Sequence, residues 1–218
     1  MKLLIFVYTC TKYEKSRALL QQQSWANRED IIFITDNPKS ELKNSMYLGN
    51  YGNVYFKEQQ VIKKILELCL TKEYDWYMII DDDAYLYIDK LKDFLSFFNE
   101  KKSYLIGDFA WKLSDPDFYN YDWFGGGPGY VMSKSTIEKI LKVINTVKLG
   151  MANEDVWLNN ACKHDITIQR IQCPGFYQYP PEEQYEKDDK QLISIHLNHD
   201  MTLIERYHQD KKNIMKSI

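Results

Sequence analysis

WYMIIDDD, residues Trp76 to Asp83, is an unbroken apolar run that ends in three carboxylates. The uninterrupted run marks a buried strand, and the triplet concentrates negative charge where that strand meets the edge of its sheet. Like charges this close repel, and their desolvated ionised forms are unfavourable. A divalent cation, or a phosphate held through one, is the economical explanation. The segment therefore points to a metal-dependent enzyme acting on nucleotide-activated substrates. A solvated acidic turn without a ligand is the other reading of the triplet.

Working outward, Leu3 to Tyr8 is a second apolar run, ended by Thr9-Cys10-Thr11, and a helix is expected from about Lys15 to Ala26. Ile31 to Ile34 reads as a strand closed by the turn residues Thr35-Asp36-Asn37-Pro38. Val54-Tyr55 reads as a short strand and Gln59 to Leu70 as a helix. Beyond the triplet, Leu91 to Phe98 reads as a helix with Asp89 near its start, and Ser103 to Gly107 as a strand. Gly125-Gly126-Gly127-Pro128-Gly129 breaks regular structure. Tyr130 to Met132 follows as a strand, and Ser133 is placed to cap a helix running to about Val147. Asn153 is placed likewise to cap a helix from Glu154 to Cys162, and Pro174 to Lys190 reads as a mobile loop. Leu192 to Leu197 is the last apolar run. Alternating strands and helices give an α/β sheet, whose ligands bind beyond the carboxyl ends of the strands.

The 218 residues form one domain by size, large enough for a core without disulfides or structural metal. With 28 basic and 31 acidic residues and a net charge of -3, the chain is not a phosphate-backbone binder, so nucleic acid is excluded as a partner. Cys10, Cys69, Cys162 and Cys173 show no metal-ligand spacing and are expected as reduced thiols in the cytoplasm. MKLLIFVYTC reads as a first strand rather than a signal peptide, and no segment reaches the ~20 apolar residues of a membrane span. Membrane association is expected to be peripheral or through partners.

Four features could carry chemistry. In an extended strand end Asp81 and Asp83 project to one side and Asp82 to the other, so Asp83 can hold a metal while a neighbour accepts a hydroxyl hydrogen bond. The glycine cluster lets backbone N–H groups come near a ligand, although a plain loop also explains it. Its spacing matches neither a P-loop nor a dinucleotide fingerprint. Glu154-Asp155 stands at a helix start, where the helix dipole favours negative charge; one of the pair could accept a proton from an attacking hydroxyl. His196 lies near the end of the last strand, and His199 is close enough to compete for its role.

Five ordered blocks then resemble the inverting β1,3-glycosyltransferases of the fringe and core-1 galactosyltransferase type, glycosyltransferase family 31. They are TCTKYEKSRALLQQQSW with IIFITD (Thr9 to Trp25, Ile31 to Asp36), YDWYMIIDDDAYLYIDKL, FGGGPGYVMSKSTI (Phe124 to Ile137), NEDVWL (Asn153 to Leu158) and ISIH (Ile193 to His196). The glycine element carries proline where alanine is more usual in the family. The resemblance implies the glycosyltransferase A fold: a Rossmann-like nucleotide-sugar-binding half, about residues 1–107, whose mixed central sheet continues into an acceptor-binding half, about 108–218. It implies Mn²⁺, with Mg²⁺ as the alternative ion, and a UDP-sugar donor with a glycan, glycolipid or glycoprotein acceptor, forming a β1,3 linkage. Asp83 and His196 would ligate the metal, Asp82 or Asp81 would contact donor ribose or sugar, and Asp155 would be the base. Tyr8, Thr9, Arg17 and Asp36 would belong to the donor pocket, and Gly126 and Gly127 would line a sugar. Tyr177, Tyr179, Tyr185, Trp111, Trp123 and Trp157 are candidates for contact with acceptor sugars. Animal members carry an anchor, a stem and disulfides; this chain reads as a compact cytosolic relative. The competing readings are an inactive relative that holds a nucleotide sugar or glycan without turnover, and a metal-dependent phosphoryl-transfer enzyme.

Overall fold

The computed structural model describes residues 1–49, 55–109, 124–147, 153–180 and 191–216. Its centre is the strand pair read from the two apolar runs, β1 (Leu3–Tyr8) and β4 (Trp76–Asp81), paired in parallel with Tyr8 opposite Asp81. Outside β1 lie β2 (Ile31–Thr35) and β3 (Ser45–Tyr47), both parallel. On the other side β7 (Tyr130–Ser133) runs antiparallel to β4 and to β6 (Tyr104–Gly107), which pairs in parallel with β8 (Gln169–Gln172). The seven strands take the order β3-β2-β1-β4-β7-β6-β8. A second sheet contains β5 (Ala84–Leu86), β10 (Ser194–His196) and β9 (Phe176–Tyr177). The sheet is mixed, as the resemblance implies.

Both faces of the central strands are covered, which is why their sequences show no polar alternation. Leu3, Ile5, Val7, Trp76, Met78 and Ile80 point into one core, shared with the second sheet, α3 (Ile88–Leu95) and α6 (Leu203–Lys216). Leu4, Phe6, Tyr77 and Ile79 point into the other, against α2 (Tyr55–Leu70), α4 (Lys134–Val143) and α5 (Glu154–Lys163).

Several boundaries differ from expectation. The helix expected over Lys15 to Ala26 is a π-helical stretch, Glu14–Ala18, followed by a short α1, Leu19–Ser24. Tyr55 opens α2 rather than closing a strand, and Val54 lies outside the described residues. Helix α3 begins three residues early, because Ile88 is itself buried. Helix α4 gives way to a 3₁₀ turn, Ile144–Thr146. Pro174 to Lys190 is not wholly a loop: Phe176 and Tyr177 form β9 and are fully buried, which removes Tyr177 from any sugar contact. Residues 181–190, with Tyr185, lie outside the described residues, as do Trp111 and Trp123; Trp157 is a core side chain. No helix among the described residues is long and apolar enough to cross a membrane, and the four cysteines form no disulfide.

Ser133 caps α4 as expected and does more. Its hydroxyl accepts from the Thr136 N–H at 3.4 Å and the Tyr104 N–H at 3.2 Å, and it donates to the Lys102 carbonyl at 2.7 Å. The residue is fully buried. Ser133→Ala leaves those three backbone groups short of a partner and is expected to destabilise the chain by about 1–3 kcal/mol, read from the midpoint of chemical denaturation.

Candidate functional site

A cleft of about 450 Å³ opens at the carboxyl ends of β1 and β4. Chain order alone brings one wall together. After Asp81 the chain leaves the large sheet through a two-residue turn, Asp82-Asp83, and enters the second sheet as β5. Helix α1 clamps that turn: Gln21 donates from Nε2 to the Asp81 carbonyl at 2.9 Å and to the Ala84 carbonyl at 2.7 Å, and Trp25 Nε1 donates to Ala84 at 3.1 Å. The β5–β10 register sets His196 opposite Ala84, one residue from Asp83, and the Leu197 N–H donates to the Asp83 carbonyl at 2.7 Å.

Asp81, Asp83 and His196 each offer a ligand atom, and these atoms lie within 4.8 Å of one another. His196 Nδ1 stands 3.2 Å from the Gln178 carbonyl, which has no proton to give, so Nδ1 carries a hydrogen, and Nε2 faces Asp83 at 3.1 Å. Two carboxylate oxygens and one oriented imidazole nitrogen form a donor set that could hold a divalent cation. Gly127 makes room for it, since a β-carbon there would stand 2.6 Å from the His196 ring.

Arg17, in the π-helical stretch, is the cation that faces the turn. Its Nη1 lies 3.3 Å from Asp82 and 3.1 Å from Asp83, and its guanidinium stacks 3.7 Å from the centre of the Tyr13 ring. Thr9 donates to Asp82 at 2.6 Å. Burial pushes Asp81 well above the ordinary carboxylate range, and the charges of Asp83, Asp82 and Asp155 push it further. Burial and the Asp83 charge raise Asp82 to about 6 against the opposing bonds from Thr9 and Arg17. Asp83 goes the other way. Burial raises it, but the bonds from His196 and His199 and the charge of Arg17 outweigh burial and hold it well below the usual range.

The opposite wall comes from the glycine segment before β7 and from the start of α5. Asp155 Oδ2 accepts from the Gly126 N–H at 2.9 Å, and Oδ1 from the Val156 N–H at 2.7 Å. Burial raises its pKa in spite of those bonds. Glu154 is raised well above its ordinary value by burial, then by the charges of Asp155 and Asp81. Asn153 occupies the capping position of α5 without a capping bond from its side chain.

Tyr8, Thr9, Arg17, Asp81, Asp82, Asp83, Gly126, Gly127, Asp155 and His196 thus all line one cleft. Asp36 does not: its carboxylate accepts from the backbone and hydroxyl of Thr11, at 2.6 and 2.7 Å, and orders the loop after β1. The cleft also holds Tyr13, Glu58 and Gln178, which sequence reasoning missed. Tyr13 lies inside a matched block, but the other two carry no signal beyond their place in the fold.

The family model described as Fringe-like matches residues 1–216. The chain belongs to the Fringe-like family. Its mixed α/β architecture is that of the glycosyltransferase A fold expected for this glycosyltransferase family. Chondroitin sulfate synthase 3 from Mus musculus is 26% identical over 215 residues, which cover 88% of this chain and 24% of that protein. The human protein of the same name is 26% identical over 213 residues, 88% of this chain and 24% of its own. Beta-1,3-glucosyltransferase from Mus musculus is 23% identical over 195 residues, 86% of this chain and 38% of that protein. The chain therefore spans well under half the length of these curated relatives.

The acidic turn makes stability depend on pH. Because Asp82 is raised from 3.8 to about 6, the folded chain binds a proton that the unfolded chain has released, so stability falls as pH rises through that window. Asp83, depressed, acts in the opposite sense and only in stronger acid. Asp82→Asn removes the titrating group and is expected to flatten the loss of stability between about pH 4 and pH 6, read from denaturation midpoints in EDTA.

Proposed function

We propose that the chain is a metal-dependent, inverting glycosyltransferase that moves a hexosyl group from a UDP-sugar to a hydroxyl of a glycan, glycolipid or glycoprotein acceptor, with a β1,3 linkage. One observation carries the reading: a divalent-cation donor set and a carboxylate fixed by two N–H groups line the same cleft, with the glycine segment beside them. Family membership supports sugar transfer, and a relative named for β-1,3 glucosyl transfer supports the linkage.

The division of labour follows from position. Asp81, Asp83 and His196 would hold Mn²⁺, or Mg²⁺, which would supply positive charge against that developing on the departing diphosphate. Arg17 adds a fixed positive charge beside them. Asp155 takes the proton of the acceptor hydroxyl as its oxygen attacks the anomeric carbon from the face opposite the diphosphate, so configuration inverts. Its two N–H bonds fix its aim, and burial makes it a stronger base than an exposed aspartate. Gly126 binds Asp155 through its N–H, and a β-carbon there would press on Glu154 and Asp155, at 3.0 and 3.3 Å. A cytoplasmic location is part of the reading.

Two tests separate binding from chemistry. Asp155→Asn keeps the shape of the side chain and removes its basicity; UDP binding is expected to persist while UDP-sugar turnover falls by about 10²-fold or more. Transfer at the wild-type rate in that variant refutes the assignment of the base. Mn²⁺ is expected to raise the melting temperature relative to EDTA, more at about pH 7 than at about pH 5 because protons compete for the ligands. Asp83→Ala is expected to abolish that cation-dependent rise.

A further inference from the structure

Gln178, one residue beyond β9, holds the metal side of the cleft with its backbone and leaves its side chain unused. The carbonyl fixes His196 Nδ1, while the side-chain amide fills the space beside Gly125. A β-carbon on Gly125 would stand 2.0 Å from Nε2, 2.3 Å from Cδ and 2.4 Å from Oε1. The residue is only 8% exposed, and its Nε2 is buried without a hydrogen-bond partner among the described residues. A buried amide left unsatisfied is destabilising, so its retention at the cleft fits a bound ligand that supplies the acceptor.

The neighbours narrow what that acceptor is. Asp81, Asp83 and His196 form the cation set, Arg17 is paired with Asp82 and Asp83, and Asp155 is held by Gly126 and Val156. Beside Gly125, in the glycine wall of the cleft, the unsatisfied group is a neutral amide. Its free end is a neutral N–H donor, which matches a hydroxyl oxygen without the charge pairing that the cation set and Arg17 offer a phosphate. We propose that the Gln178 side-chain amide binds a hydroxyl of the hexose being transferred, with Gly125 present because any larger residue would displace it. The inference rests on the glycosyltransferase reading and adds to it the residue that reads the sugar. A site built around a hydrogen bond to a hydroxyl discriminates against sugars that cannot supply it, because its own polar group is then left unpaired.

The test compares affinities for UDP and for UDP-glucose, UDP-galactose and UDP-N-acetylglucosamine in Mn²⁺ by titration calorimetry. For the nucleotide sugar that wild type binds best, Gln178→Leu is expected to weaken binding about five- to tenfold while UDP affinity is unchanged. Gly125→Ala, which drives a methyl into the amide, is expected to show the same selective loss. Gln178→Asn, which keeps an amide but withdraws it, serves if the leucine variant melts early, with the same expected pattern. Equal loss for UDP and the nucleotide sugar overturns the proposal, since it marks a structural effect through His196. Unchanged affinities, or an effect confined to the acceptor KM, also overturn it. Failure of wild type to bind UDP or any of the three nucleotide sugars overturns the glycosyltransferase reading itself, and the inference with it.

Discussion

Three adjacent carboxylates sit at the end of a buried strand, and most of the surrounding architecture serves to make that tolerable. Taking a charge out of water costs several kcal/mol even after relaxation, and like charges side by side add to the cost. The fold answers from three directions. Arg17 faces Asp82 and Asp83 from the π-helical stretch, the Thr9 hydroxyl meets Asp82 from the end of β1, and two histidines meet Asp83 from the end of β10. The Asp81 carboxylate has no hydrogen bond or ion pair among the described residues, and burial with the charges of Asp83, Asp82 and Asp155 raises it well above the ordinary range although the Arg17 charge opposes them. The residual deficit lies where the donor set for a cation lies, so the charge problem and the chemistry are one feature of the sequence.

The mixed sheet turns that local feature into a two-sided site. Parallel β1 and β4 deliver Tyr8 and Asp81 side by side at their carboxyl ends. Because β7 runs antiparallel to β4, with Tyr130 opposite Ile79, the glycine segment preceding it arrives at the same edge. A parallel strand in that position would place the glycines at the far edge. Helix α5 then sets Asp155 against Gly126. Its start contributes a dipole that favours the ionised carboxylate, while burial disfavours it, and burial prevails.

What was legible in the sequence follows from how strongly burial marks each segment. Strands covered on both faces, β1, β2 and β4, show as apolar runs whose ends match the observed strands almost to the residue. The strands missed are short or polar: β8, Gln169–Gln172, is a largely exposed edge, and β3 and β5 have three residues each. The π-helical stretch left no trace in periodicity, because a few residues at a different pitch look like ordinary helix. Asp36 shows the limit of reading site residues from strand ends: it follows β2 as expected, yet its carboxylate is spent on Thr11. Tyr177 misled because a tyrosine between prolines resembles a loop, whereas pairing of β9 with β10 buries it.

The choice between His196 and His199, open from sequence, turns on how each ring is held. His196 belongs to β10, is fixed by register opposite Ala84, and has Nδ1 tied to the Gln178 carbonyl, so Nε2 has one direction to face. His199 follows Asn198 in a turn where both have left-handed backbones, at φ 72° and 48°, and its side chain is 66% exposed. Its Nδ1 touches both Asp83, at 2.6 Å, and Arg17, at 2.9 Å. Since a guanidinium has only hydrogens to offer and a carboxylate only lone pairs, that nitrogen cannot satisfy both contacts in one protonation state. A ring with two incompatible claims on one nitrogen, in a strained and exposed turn, is poorly organised to ligate a cation. For the proposed cation, His196 is therefore the better-held donor of the two, with His199 an outer partner of Asp83.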